Sequence, residues 1–120
     1  MNVGAVRKLL AGSRIVLIGG EPRDDAVKRI EHAFALEECD WTTVRDHASS
    51  APLEAPIRRD ETRLVLILIG LANHQTVDDV TAWCIKYGKP LVRLPGKGYN
   101  PERIAAEVLE QVSGKLEGGK

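Results

Sequence analysis

Three short stretches of the chain carry residue types that could do chemistry. Gly19-Gly20 ends an apolar, β-branched run and precedes a helical pattern. Backbone N–H groups and a helix dipole can hold an anion at such a place. Asn73-His74 follows a second apolar run, and the imidazole there could serve as general acid or base, as a metal or haem ligand, or as an anion contact. Pro95-Gly96-Lys97-Gly98-Tyr99-Asn100 sets a lysine between two glycines just ahead of a helix start. Backbone donors and an ammonium would converge there. Each stretch also has a plain reading. Glycines turn the chain, Asn73 or His74 satisfies backbone groups before a helix, and Lys97 is solvated.

Sharper motifs are absent. Gly19-Gly20-Glu21-Pro22-Arg23 lacks the later glycine of the dinucleotide fingerprint, and Pro22 removes a donor. Asp46 after the second strand could meet a ribose, but a lone acid supports little. The Lys97 loop lacks the Walker spacing. A phosphorylated receiver domain wants acidic residues after the first strand and an aspartate ending the third. The sequence offers Glu21 and Ile69-Gly70 instead. Cys84 falls on an apolar helical stripe and reads as core. Asp24-Asp25 and Asp78-Asp79 open helices, where negative charge complements the dipole. Arg58-Arg59 is too short a basic patch for nucleic acid, and His32 and His47 read as surface residues.

The elements that must position these residues alternate in period. Arg14–Ile18 and Leu64–Ile69 are apolar on both faces, as central strands of a parallel sheet are. Trp41–Val44 and Pro90–Leu94 read as weaker strands. Between them the spacing predicts helices over Pro22–Glu38, Thr76–Tyr87 with Thr76 as cap, and from Asn100 to Gly114. Ala48–Asp60, with Pro52 and Pro56, permits only a short helix. Residues 1–12 read as an amphipathic helix packed on the domain or on a partner subunit, 13–114 as a single domain, and 115–120 as a flexible tail. The expected architecture is an α/β, three-layer, Rossmann-like or flavodoxin-like parallel sheet of four strands in the order 2-1-3-4. Ligands bind such sheets beyond the carboxyl ends of the strands, where the order switches. The switch falls between strands one and three, so the three chemical stretches share one edge.

Composition narrows the partners. Seventeen Lys plus Arg balance seventeen Asp plus Glu, for a formal net charge of zero. A nucleic-acid binder usually shows a basic excess, so no nucleic acid is expected. The 43% apolar, 28% charged mixture is that of a globular domain. The longest apolar run, Leu64 to Ala72, is too short to span a membrane. Two isolated cysteines make no disulfide framework and point to a reducing cytoplasm.

The order of Gly19-Gly20, His74, Gly88-Lys89-Pro90 and Lys97-Gly98 resembles the bacterial family called "domain of unknown function 2325". The resemblance covers roughly residues 14–112. It implies a small bacterial cytoplasmic protein with a Rossmann-like sheet, and it groups His74 and Lys97 with Gly19 and Gly20. The expected function is a ligand-binding or sensory module, homo-oligomeric, for a small anionic molecule. Gly19, Gly20, Asn73, His74, Lys97 and Gly98 form the expected site. Two alternatives stand beside it: a metal or haem sensor with His74 as ligand, and an enzyme with His74 as acid or base.

Overall fold

The computed structural model describes residues 2–43, 49–96 and 99–118. The two doubly apolar runs become the central strands. β1 (Arg14–Ile18) pairs in parallel with β2 (Glu38–Thr42) on one side and with β3 (Thr62–Leu68) on the other, and β4 (Leu91–Leu94) pairs in parallel with β3. The order is β2-β1-β3-β4, as the sequence predicts. Every residue of β1 is buried, whereas β2 buries only Cys39 and Trp41. A strand covered on one face alternates; a strand covered on both does not.

Helices fill both outer layers. On one face lie α1 (Asn2–Leu10), α2 (Asp24–Ala33), α5 (Pro101–Gln111) and α6 (Ser113–Gly118). Val6, Leu10, Ile30, Phe34, Ile104 and Val108 pack there against Ile15, Leu17, Leu66 and Val92. On the other face lie a 3₁₀ turn (Ala51–Leu53), α3 (Glu54–Arg58) and α4 (His74–Tyr87). Leu53, Ile57, Val80 and Cys84 cover Val16, Ile18, Val65 and Ile67. Among the described residues no helix is long and apolar enough to cross a membrane.

Three boundaries differ from the sequence reading, each for a physical reason. The helix expected to run to Glu38 stops at Ala33. Ala35 takes the left-handed conformation (φ 51°), and the Leu36 amide reaches back to the Glu31 carbonyl at 2.9 Å. This is the usual glycine stop made with an alanine, so no glycine marks it. β2 consequently begins three residues before Trp41, where its expected start lay; Val44 lies outside the described residues. Asn73, not Thr76, caps α4: its side-chain oxygen accepts the Thr76 amide at 2.7 Å.

Both terminal helices, α1 and α6, pack on the core. Val6 and Leu10 of α1 are fully buried in the main core, so this helix packs on the domain. The expected tail from residue 115 is helical through Gly118, with Leu116 buried; residues 119–120 lie outside the described set. Arg63 holds both ends in place. Its Nε donates to the Leu9 carbonyl at 3.1 Å and its Nη2 to the Leu116 carbonyl at 2.9 Å. A guanidinium is well suited to late-helix carbonyls, which lack intrahelical donors.

Candidate functional site

The carboxyl ends of the strands are drawn together by close approaches at three glycines. Gly19 follows β1 at φ 116°, and a Cβ there would lie 3.1 Å from Cβ of Leu68 at the end of β3. Gly20 sits at φ 69°, with Cδ1 of Leu71 only 2.9 Å from where its Cβ would be. Gly70, beyond β3, leaves no room at all: a Cβ would lie 2.6 Å from the Gly96 carbonyl oxygen beyond β4. The loops after β1, β3 and β4 therefore touch one another.

Gly19 is already committed within this arrangement. Its N–H donates to the Thr42 carbonyl at 3.3 Å, and its own carbonyl accepts the Trp41 indole N–H at 2.7 Å. Trp41 in turn meets the Tyr99 ring edge-on, with centroids 5.0 Å apart. Gly19 thus builds the wall of the edge, and the next residue, Gly20, is partly exposed beneath the Leu71 side chain.

Asn73 and His74 stand at the first turn of α4. The Asn73 side chain takes the third helical amide, and its carbonyl takes the Val77 amide at 3.0 Å. The amides of His74 and Gln75, the first two of a 14-residue helix, have no intrahelical acceptor. They stand at the positive end of the helix dipole. The His74 imidazole is exposed beside them.

Lys97 and Gly98 lie outside the described residues. Described residues on either side of them, Pro95 and Asn100, are both bonded to Arg103. Arg103 Nη2 donates to the Pro95 carbonyl at 2.7 Å, and the Asn100 side chain accepts the Arg103 amide at 2.9 Å to cap α5. Asp46 and His47 are likewise outside the described set. Among the described residues no group of three or more His, Cys, Asp or Glu is placed to hold a metal ion. A metal or haem on His74 would need its other ligands from elsewhere.

A cleft of about 1110 Å³ opens at the opposite end of the sheet, among Ser13, Arg14, Glu61, Arg63, Lys89 and Arg93. Volume alone would favour it, but Arg14, Arg63 and Lys89 on its wall are bonded to protein acceptors. Lys89 Nζ donates to the Arg59 and Thr62 carbonyls at 2.9 and 2.8 Å. Arg63 holds the two helix ends described above. Among the described residues Arg14, only 2% exposed, is the most enclosed charge. It donates to Glu38 Oε1 and to the Pro56 carbonyl, each at 3.0 Å, and to Asp40 and Thr62 Oγ1. These bonds staple β1 to β2, β3 and α3. Around this cleft Arg14, Arg63 and Lys89 hold the fold, whereas at the strand carboxyl ends the first two amides of α4 have no intrahelical acceptor.

Neither thiol is poised for reaction. Burial, reinforced by the Glu31, Asp40 and Glu38 carboxylates, pushes Cys39 up to about 12. Burial pushes Cys84 up to about 11. A thiol held neutral is a poor nucleophile.

The sequence reading missed three parts of this edge. The Gly70–Gly96 contact, the Leu71 side chain over Gly20 and the Trp41–Tyr99 pair all depend on which loops meet, which no spacing reveals. Arg14 did leave a signal. It heads an apolar strand, and Glu38 and Asp40 fall two apart on its neighbour, so they share a face.

Comparison with known proteins adds the fold and nothing finer. No family model matches the chain, and no curated protein matches it. Among solved structures it is similar to a protein described as a "putative cystathionine beta-lyase involved in aluminum resistance" from Clostridium acetobutylicum. The identity is 9% and the TM-score 0.54, over 78% of this chain and 27% of that one. The chain thus spans about a quarter of that protein's length, and the likeness is one of α/β fold.

Proposed function

We propose that this chain is a ligand-binding or sensory module that holds a small anionic molecule, a nucleotide or phosphorylated metabolite, at the carboxyl edge of its sheet. One observation carries the reading. The loops after β1, β3 and β4 press against one another, and the uncapped first amides of α4 open beside them. Gly20, His74 and Gln75 would then supply backbone donors, and the His74 ring an orienting hydrogen bond. Lys97 would add a point charge and Gly98 room for close approach. Asn73 and Gly19 act on the ligand indirectly, by setting the first turn of α4 and the wall beside it.

The resemblance to the "domain of unknown function 2325" family belongs to the same proposal, as do a bacterial, cytoplasmic setting and homo-oligomeric assembly. Two buried, unpaired thiols suit a reducing compartment.

Native mass spectrometry of freshly purified protein, followed by binding measurements with a panel of nucleotides and sugar phosphates, tests the reading. His74→Ala and Lys97→Ala should each weaken binding of whichever anion is retained or selected, by about tenfold for loss of one charge-assisted hydrogen bond. Unchanged affinity in both variants sinks the site assignment. A coloured preparation with haem bound through His74, or turnover abolished by His74→Ala, would move the assignment to the sensor or the enzyme.

A further inference from the structure

The outer edge of β4 carries a feature that neither the ligand site nor the fold requires. In a parallel ladder, alternate residues direct both backbone polar groups to the same side. The Val65 amide donates to the Pro90 carbonyl at 3.0 Å, so Pro90 and Val92 face β3, while Leu91 and Arg93 face outward. Such an edge is a template for another strand.

At Arg93 that template is filled from within. The Arg93 N–H donates to Oε1 of Gln111 at 3.0 Å, and Nε2 of Gln111 donates back to the Arg93 carbonyl at 2.9 Å. A primary carboxamide engaged in both directions reproduces what one peptide group of a neighbouring strand would offer. The second hydrogen of Nε2 is also used: it goes to Oε1 of Glu107, one turn earlier on α5, at 2.7 Å. That bond fixes which end of the carboxamide faces which backbone group. From the opposite layer, Nη2 of Arg93 donates to Oγ1 of Thr81 at 3.1 Å, laying the arginine side chain toward α4. Helices of both layers thus engage the same edge residue.

We propose that Gln111, oriented by Glu107, is a strand mimic that shuts the β4 edge against pairing with a second copy of this chain. A second copy is the natural occupant, because its own β4 presents the identical outward groups and two such edges can pair about a two-fold axis. It follows that any assembly of the native chain uses another surface. This inference is independent of the ligand site.

Full-length wild type and Gln111→Ala can be compared by sedimentation across a range of concentrations, with hydrogen exchange read at the Arg93 amide. Gln111 is exposed at the end of α5, so the variant keeps the core intact. The expected results are a protected Arg93 amide in wild type and, at low concentration, about tenfold faster exchange in the variant. With rising concentration the variant should reach twice the wild-type mass while Arg93 protection returns. Adding Arg93→Pro, which removes the N–H at an edge position that tolerates proline, should return the wild-type mass. An Arg93 amide unprotected in wild type, or a Gln111→Ala variant matching wild type in mass at every concentration, overturns the proposal.

Discussion

Arg14 shows how a buried charge can organise a sheet. Removing it leaves the Glu38 and Asp40 carboxylates without their cation, but both are partly exposed and can rehydrate. The expected loss for Arg14→Ala is therefore about 2–3 kcal/mol, below the roughly 3–5 kcal/mol of a fully enclosed pair. Urea unfolding of the variant measures it, and a change within about 0.5 kcal/mol would contradict the staple. The cysteines give a pH dependence. Their folded values lie at about 12 and 11, above the unfolded value of 9.0. The folded state thus holds protons that the unfolded state gives up. That stability is fully present below pH 9 and declines as pH rises toward 11 and 12. Replacing Cys39 and Cys84 with Ala should flatten the decline in thermal unfolding measured above pH 9. At this scale Gly19, Gly20 and Asn100 were legible because a turn or a cap needs those residue types. The Arg14 cluster was not read, because its members meet only once the strand register places them together.

At the scale of elements, two strands were legible from unbroken apolar runs and the edge strands from weaker ones. The end of α2 was not, because its left-handed stop is an alanine. Nor was α6, whose short helix relies on Leu116 reaching the core and on Arg63 from β3. The contact between the loops after β3 and β4 belongs to this scale too. Gly70→Ala should push the Gly96 carbonyl away, at a cost of about 1–3 kcal/mol. The same change should weaken anion binding, because it parts the loops that form the proposed site. Thermal unfolding of Gly70→Ala checks the first effect, and an unchanged midpoint would mean that the loops part without cost.

Considered whole, the molecule has two ends with different uses of charge. At the amino ends of the strands, Arg14, Arg63 and Lys89 are bonded to protein acceptors around the large cleft. At the carboxyl ends, the first turn of α4 presents the His74 and Gln75 amides, and Pro95 and Asn100 are each bonded to Arg103. A net charge of zero over the whole chain therefore leaves room for a small local anion site at one end. The distinction can be read directly by amide-resolved NMR titration of the full chain with ATP, a sugar phosphate and inorganic phosphate. The proposed site predicts saturable shifts at Gly20, His74, Gln75, Lys97 and Gly98, with Arg63, Lys89 and Arg93 unmoved. Shifts confined to the latter three, or no saturable shift with any of these anions, would contradict it.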